Sequence, residues 1–349
     1  MLRNLASVVL VALLAMQSVW AAEAPATNQL VIATWNVENL FDPYNDPVNP
    51  GSVDFTPDGW AHWTRARYAL KLDHLAEVIA AMQPDILGLT EVENRRVLED
   101  LVRVLRTKHG CEFPVILHRE GGDRRGIDVA MLARFAPVAT NWIAPVPQQR
   151  DILVARFDVA GRPLTVCLNH WKSWAGSQEE DVEIRTKEAH AARAEMERRL
   201  FRSASSAIVA LGDFNDNVDS PMLTREAGLV LWSPAAVTAT NSQALLFNLS
   251  GMLEPKARGT FYYSKGRVWN SFDSISVSRG MLPGGARTSV WQVVTNSYGP
   301  FVLPQQRDKH GHPLGFHRSR KKDEAGEWQD SYMTGYSDHF PVRCVLQAP

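Results

Sequence analysis

The residues of this sequence that could do chemistry are carboxylates, carboxamides and histidines that closely follow short apolar runs. Four runs end one or two residues before such a side chain: Leu30 to Thr34 before Asn36, Ile86 to Leu89 before Glu91, Leu164 to Leu168 before His170, and Ala207 to Leu211 before Asp213. A fifth run, Val129 to Leu132, has its acid, Asp128, at its start. Short runs rich in Val, Ile and Leu are typical of buried strands. The pattern therefore predicts an active site built at strand ends.

The oxygen-rich part of this set predicts a site for a hard divalent cation. Its members are carboxylates and carboxamides: Asn36, Glu91, Asp213, Asn215 and Asp338. Oxygen ligands without thiolates suit Mg²⁺, which keeps several waters and binds substrate phosphate oxygens, with Mn²⁺ or Ca²⁺ as alternatives and zinc disfavoured. Two histidines near these acids, His170 and His339, suit contact with a phosphate better than metal ligation.

The elements that would position these residues form a mixed α/β pattern. Apolar residues repeat at helical spacing from Leu72 to Met82, where Pro84 ends the pattern, so a helix joins the first two strands. A charged helix is predicted from Glu180 to Arg202, and further strands at Ser274 to Val277 and Val342 to Leu346. Between them lies a long polar loop, residues 305–336, and loops of this length are usually functional or disordered.

The first 21 residues have the pattern of a secretory signal peptide. Arg3 precedes an apolar run from Leu5 to Met16, and small residues suit cleavage after Ala21, with Ala22 and Ala24 as alternatives. The run is short for a membrane span, although an uncleaved anchor stays an alternative. We expect a periplasmic or secreted protein in which residues 22–349 form a single domain, a monomer with no stable membrane association.

Charge and cysteine content restrict the function classes only weakly. Removing the leader moves the formal net charge from -1 to -2, which neither supports nor excludes a nucleic-acid substrate. Local basic clusters at Arg124 and Arg125 and from Arg318 to Lys322 could steer a polyanion. The three cysteines allow at most one disulfide, and Cys167 and Cys344 lie in apolar runs, as buried free thiols do.

Five motifs in sequence order resemble those of the endonuclease/exonuclease/phosphatase superfamily, which includes deoxyribonuclease I and neutral sphingomyelinases. They are Trp35-Asn36-Val37-Glu38-Asn39, Thr90-Glu91-Val92-Glu93-Asn94, Asn169-His170-Trp171-Lys172-Ser173, Gly212-Asp213-Phe214-Asn215-Asp216 and Ser337-Asp338-His339-Phe340-Pro341. Further segments, such as Arg125-Gly126-Ile127-Asp128, resemble its exported bacterial endonuclease-like branch. The resemblance implies a four-layered α/β/β/α sandwich with two mixed sheets.

The resemblance also implies a role for each residue. Glu91 binds the metal with Asn36, and Asp338 completes the metal shell. Asp213 orients or deprotonates water, Asn215 holds the nucleophile or a phosphate oxygen, and Asp273 pairs with His339, which contacts the scissile phosphate. His170 steadies the developing charge. The expected substrate contacts are Arg125, Lys172 and Arg318.

The function that follows is metal-dependent hydrolysis of a DNA or RNA phosphodiester bond. Lipid phosphodiesterase activity, as in sphingomyelinases, or phosphatase activity on a small phosphoester is the alternative. Sphingomyelinase relatives carry an exposed apolar hairpin, and no convincing one is evident in the sequence. A protein that only binds its ligand would be indifferent to metal removal.

Overall fold

Two seven-stranded sheets, packed face to face, form the centre of the protein. The structure is a computed structural model, and it describes residues 28–239, 245–283, 288–316 and 335–349. The predicted signal peptide and Arg318 lie outside the described residues, so export and the Arg318 contact stay predictions, as does the division into a leader and one domain.

The first sheet has the order β14-β16-β1-β2-β4-β3, with β15 also paired to β16. Its strands are β1 (Gln29–Leu40), β2 (Ile86–Val92), β3 (Val115–His118), β4 (Asp128–Ala133), β14 (Gln292–Val293), β15 (Gly299–Pro300) and β16 (Val342–Gln347). Strands β1 and β2 are parallel, and the other described pairs of this sheet are antiparallel.

The second sheet has the order β5-β6-β7-β8-β13-β10-β9. Its strands are β5 (Ala139–Ile143), β6 (Ile152–Val159), β7 (Arg162–His170), β8 (Ile208–Asp213), β9 (Leu229–Leu231), β10 (Leu246–Asn248) and β13 (Asp273–Ser278). A separate hairpin pairs β11 (Phe261–Tyr263) with β12 (Val268–Asn270).

Three long helices cover the outer faces of the sheets, and each begins at a side-chain cap. They are α1 (Arg65–Met82), α2 (Arg95–His109) and α3 (Gln178–Arg202), with a short α4 at Pro234–Thr238. The caps Thr64, Asn94 and Ser177 each accept a hydrogen bond from a backbone N–H of the first turn. Helix α1 ends at Met82 as Pro84 predicts, whereas α2 was not anticipated from the sequence.

Alternation along the strands produces three apolar layers. Ile32 of β1 faces Leu168 and Leu211 in the core between the sheets. Its neighbour Ala33 faces the opposite way, into the core shared with α1 and α2, and Ala210 packs against α3. Two helical layers around two sheets confirm the predicted α/β/β/α sandwich.

The two sheets are in close contact at Gly88 of β2. A Cβ atom there would lie 2.7 Å from methyl carbons of both Leu168 and Leu211 on the facing sheet. A glycine therefore fits where the two sheets are in contact. All three cysteines are buried free thiols, as predicted for Cys167 and Cys344. Within the described residues, no helix combines the length and apolar character needed to cross a membrane.

Candidate active site at the edge of the two sheets

The strand ends predicted from the sequence meet at one edge of the sandwich. In the second sheet, Asp213 is paired with His170 on one side and with Asp273 on the other. In the first sheet, Asn36 is paired with the residue before Glu91. Strand pairing, which sequence spacing does not encode, thus brings five of the predicted site residues to one place.

A glycine allows β8 to deliver Asp213 to this edge. Gly212 has a φ of 135°, and a Cβ atom there would lie 1.9 Å from the carbonyl oxygen of Asn169 on β7. Only glycine tolerates both the backbone angle and the close approach. The motif glycine before Asp213 is therefore required by the local geometry.

Asp213 is held by hydrogen bonds from both sheets. Its Oδ2 accepts from Asn36 Nδ2 at 2.9 Å, and its Oδ1 accepts from the backbone N–H of Asn215 at 2.8 Å. The Asn215 side chain donates to the Trp171 carbonyl at 3.0 Å. Burial raises the pKa of the Asp213 carboxyl to about 6, with Asp273 adding to the effect. The carboxylate is thus more basic than an ordinary Asp, but still ionised at neutral pH.

His339 and Asp273 form a buried ion pair. The Nδ1 of His339 lies 2.6 Å from Asp273 Oδ2. The His339 carbonyl accepts from Trp35 Nε1 at 2.9 Å, and its N–H donates to Ser337 Oγ at 3.1 Å, so the backbone is fixed. Burial alone would lower the pKa of His339, but the charges of Asp273 and Asp213 outweigh it and raise that pKa well above the usual range. The raised pKa favours the imidazolium form, in which Nε2 carries a proton that can be donated to a ligand.

His170, on the other side of Asp213, is held in the opposite charge state. Its Nε2 lies 3.8 Å from Asp213 Oδ2, and its Nδ1 has no hydrogen-bond partner among the described residues. Burial, followed by the charges of Arg150 and Arg125, lowers the pKa of His170 well below its usual range. Asp213 therefore lies between a neutral imidazole and a charged one.

Glu91 lies at the end of β2 in a left-handed conformation, with a φ of 63°. Its Oε2 accepts from the Asn39 N–H at 2.9 Å, and the nearest guanidinium nitrogen, on Arg125, lies 3.9 Å away. The Arg125 guanidinium instead donates to Asn39 Oδ1 at 2.6 Å. A half-buried carboxylate whose nearest guanidinium nitrogen lies 3.9 Å away is a suitable ligand for a cation.

The donor set at this edge fits a hard divalent ion. Glu91 and Asp338 supply carboxylate oxygens and Asn36 an amide oxygen, the types that Mg²⁺ prefers. A second group of ligand-type atoms, from Asp213, Asp273 and His339, lies within 4.8 Å of one another. In this second group Asp273 Oδ2 is already paired with His339 Nδ1 at 2.6 Å, which makes the Glu91 side the better candidate for a metal.

Two residues near this edge were not selected from the sequence. The carboxylate of Glu38 accepts the N–H groups of Phe316, at 2.6 Å, and Asp338, at 3.0 Å. The fully buried ammonium of Lys71 donates to the Tyr336 carbonyl at 2.6 Å. Burial lowers the pKa of Lys71 to about 8, opposed by the charges of Glu38, Asp338 and Glu91. Lys71 lies on the apolar face of α1, four residues before Leu75. A lysine at a core-facing helical position is visible in the sequence and could have identified it.

The predicted substrate contacts differ in their placement. Arg125 is at the site, with a half-exposed side chain next to Glu91. The ammonium of Lys172 instead pairs with Asp181 at 2.9 Å and donates to the Ser173 carbonyl. Because helix α3 holds this cation, the geometry gives no support to a substrate contact from Lys172.

Comparisons with known proteins agree on one family and fold. The profile of the endonuclease/exonuclease/phosphatase family matches residues 31–348. A truncated TDP2 from Caenorhabditis elegans is 14% identical, with a TM-score of 0.52 over 92% of this chain and 98% of that one. TDP2 of D. rerio in complex with a single-strand DNA product is 16% identical, with a TM-score of 0.52 over 92% and 100% of the two chains. A mannosyl-6-phosphatase of Bacteroides thetaiotaomicron is 18% identical, with a TM-score of 0.51 over 91% and 99%. No curated protein sequence matches the chain.

Proposed function

The chain belongs to the endonuclease/exonuclease/phosphatase family, and from this premise we propose that it is a Mg²⁺-dependent phosphodiesterase that hydrolyses DNA or RNA. The observation that carries the proposal is the placement of one basic carboxylate, Asp213, between the neutral ring of His170 and the charged ring of His339. Such an arrangement supplies a base and a cationic hydrogen-bond donor within one buried site.

In the proposed reaction, Asp213 accepts a proton from water as the water oxygen attacks phosphorus. Asn215 holds the water or a phosphate oxygen next to it. The Nε2–H of His339 donates to a non-bridging phosphate oxygen, and Asp273 keeps that ring charged. The neutral ring of His170, 3.8 Å from Asp213, would stabilise the developing negative charge by a hydrogen bond. The bond between phosphorus and the leaving oxygen then breaks, the leaving oxygen takes a proton from water, and Asp213 returns its proton to solvent.

The metal completes this site in the proposed mechanism. Three residues would hold the metal: Glu91, Asn36 and Asp338. The metal would neutralise negative charge on the phosphate. Lys71 places a cation beneath Glu38, Asp338 and Glu91, and so limits repulsion between these acids before a metal binds.

A nucleic-acid substrate is favoured by a cavity with aromatic and cationic side chains in its wall. The cavity, of about 460 Å³, is bordered by Phe340, which follows His339, by the exposed ring of Trp269, and by the cations of Lys256 and Arg307. Aromatic rings that stack on bases, combined with cations that contact the backbone, are the usual means of holding a single strand. Arg125 would extend the cationic surface on the opposite, metal-binding side.

A lipid phosphodiester is the second candidate, because the β11–β12 hairpin has apolar exposed side chains. Tyr263, Val268 and Trp269 are each at least 40% exposed. An apolar hairpin was not expected from the sequence. Its turn, however, carries Lys265 and Arg267, and cations in that place suit an anionic polymer better than the centre of a bilayer.

The proposal is tested with plasmid DNA, single-stranded RNA, sphingomyelin vesicles and a small phosphomonoester, each assayed with Mg²⁺ and with a chelator. We expect cleavage of nucleic acid that Asp213→Asn abolishes and that Asp158→Asn, at an exposed acid of β6, leaves unchanged. Hydrolysis of sphingomyelin alone would assign the hairpin to lipid binding and refute the nucleic-acid assignment. Full turnover after exhaustive chelation would refute the metal dependence.

We also propose export, with the enzyme acting as a monomer outside the cytoplasm. The support is the leader-like composition of residues 1–21. Sequencing the N terminus of the protein recovered from the periplasm or medium should begin after Ala21, Ala22 or Ala24. An intact N terminus in a membrane fraction would contradict the assignment.

A further inference from the structure

A second cluster of metal-ligand side chains lies at the junction of β3 and β4, where Asp128 is paired with Val92, the residue after Glu91. His118 is the last residue of β3, Asp128 is the first of β4, and Glu120 lies between them in the chain. One ligand-type atom from each residue lies within 4.8 Å of the others. Neither the family resemblance nor the proposed hydrolysis assigns a role to this cluster.

The imidazole of His118 is buried without a satisfied hydrogen bond at Nε2. Its side chain is 2% exposed, and Nε2 has no hydrogen-bond partner among the described residues. The nearest acceptor, Asp128 Oδ2, is 3.3 Å away but outside hydrogen-bond geometry. A buried polar nitrogen that meets a carboxylate only outside hydrogen-bond geometry requires an explanation.

The spacing of these two atoms matches the spacing around a metal ion. Two ligand atoms at about 2.0 to 2.1 Å from a tetrahedral zinc ion lie roughly 3.3 to 3.4 Å apart. The 3.3 Å between His118 Nε2 and Asp128 Oδ2 has this value. The other oxygen, Asp128 Oδ1, accepts the Gly121 N–H at 3.0 Å, so the carboxylate is fixed with Oδ2 directed at the ring.

The cluster also carries negative charge that nearby arginines do not offset. Arg119 is paired with Asp151, and Arg150 with Asp123 at 2.8 Å. Glu120 lies 3.8 Å from His118 Nδ1, and its side chain, 67% exposed, can change rotamer to reach an ion. Burial raises the pKa of the Asp128 carboxyl. A divalent cation would compensate for the cost of this buried charge.

We propose that His118, Glu120 and Asp128 form a second metal site, for a borderline divalent ion such as Zn²⁺. One imidazole nitrogen with two carboxylate oxygens is a donor set for Zn²⁺ rather than for Mg²⁺, and water would occupy the fourth position. The inference is independent of the proposed hydrolysis.

The site would fasten the loop between β3 and β4 at both ends. This loop, residues 119–127, carries Arg125 to the catalytic edge, where it contacts Asn39 and lies 3.9 Å from Glu91. A metal ion bound next to both ends of a loop holds those ends together and so restricts the conformations that the loop can adopt. We therefore expect the second ion to position Arg125 without taking part in the chemistry.

The test is Zn²⁺ binding to the chelator-treated full chain, in excess Mg²⁺ so that the catalytic site is filled. Calorimetry and metal analysis after dialysis should give one tightly bound Zn²⁺ per chain. His118→Gln and Asp128→Asn should weaken this binding at least tenfold. Glu120→Gln, at an exposed side chain, should weaken it with no effect on folding. His190→Gln is the matched control, because His190 forms an exposed pair with Glu226 at 2.8 Å.

The outcomes separate this proposal from the proposed function. Asp213→Asn should retain the bound Zn²⁺ while losing hydrolysis. Replacing Zn²⁺ with Co²⁺ should give the visible absorption spectrum of a tetrahedral site, and Glu120→Gln should change that spectrum. Equal Zn²⁺ binding in wild type, Glu120→Gln and Asp128→Asn would overturn the site. Displacement of Zn²⁺ by the excess Mg²⁺ would refute the proposal that the site prefers a borderline ion such as Zn²⁺.

Discussion

Asn36 donates a hydrogen bond of 2.9 Å to Asp213 across the junction of the two sheets. The two residues are separated by 177 positions in the chain. Asn36 lies within β1 of the first sheet, and Asp213 is the last residue of β8 in the second sheet. The oxygen of the same Asn36 amide accepts the Glu38 N–H at 2.9 Å, which fixes the amide orientation. One carboxamide thus connects the residues proposed to bind the metal with the carboxylate proposed to act on water.

Replacing Asn36 with Ala should change the pH dependence as well as the rate. The hydrogen bond from Asn36 stabilises the charged form of Asp213, so its loss raises the Asp213 pKa further above about 6. The ionised fraction of the base then falls at neutral pH, and the acidic limb of kcat/KM should move to higher pH. We expect a rate loss on the order of a hundredfold at pH 7 that partly recovers at pH 9. A loss that is equal at every pH would show that the bond has no influence on the base.

Glu91→Gln should raise the Mg²⁺ concentration needed for half-maximal turnover. The substitution keeps the shape of the side chain and removes the charge that we assign to the metal. The N–H of Asn39, which donates to Glu91 Oε2, keeps an acceptor in the amide oxygen. Titrating Mg²⁺ against turnover for wild type, Glu91→Gln and the exposed control Glu99→Gln decides the point. An unchanged Mg²⁺ requirement would remove Glu91 from the metal site.

The sequence predicts the strand ends of this site because each depends on local order along the chain. An apolar run followed by Asp213 or His170 identifies both a buried strand and the residue at its exit. Helix α1 was predicted for the same reason, since its period and its terminating proline are local. Strand β6, which is buried from Ile152 to Ala155 and alternates only from there to Val159, was not assigned, and neither was helix α2.

Contacts between distant segments could not be derived from spacing. The bond from Lys71 to the Tyr336 carbonyl spans 265 positions and depends on packing of α1 against the chain before β16. Likewise, Lys172 lies in the right motif, but α3 brings Asp181 to its ammonium. Motif membership predicts the position of a residue, whereas the direction of its side chain depends on the tertiary neighbours.

Asp213→Asn should stabilise the metal-free protein at pH 7 while abolishing activity. The folded-state pKa of Asp213, about 6, lies above its ordinary value of 3.8, so the folded state favours the protonated form. Stability from this group is present below pH 4 and is lost as pH rises to about 6. Asn mimics the protonated carboxyl, so the variant should gain about 3 kcal/mol of unfolding free energy at pH 7 and well under 1 kcal/mol near pH 4. Denaturant unfolding in a chelator at both pH values measures this, and a variant less stable at pH 7 would contradict it.

Asp273→Asn should show whether the negative charge of Asp273 matters to His339, because the substitution keeps the shape of the side chain and removes its charge. The Asp273 carboxylate, 2.6 Å from His339 Nδ1, raises the pKa of that ring, so the ring stays charged through neutral pH. Without this charge the ring loses its proton at lower pH, and the imidazolium contact with the phosphate is lost. A donor to a developing anion is worth on the order of a hundredfold in rate or more.

The alkaline limb of the pH profile should therefore move downward in Asp273→Asn, and kcat should fall more than KM rises. His339→Ala should lose activity at all pH values, and Ser276→Ala, at a buried hydroxyl farther along β13, serves as the control for disturbance of the strand. Mg²⁺ binding should be unchanged in Asp273→Asn, because the assigned ligands are Asn36, Glu91 and Asp338. If Asp273→Asn retains the wild-type rate and pH profile, then Asp273 is a structural acid, and the charge on His339 does not depend on it.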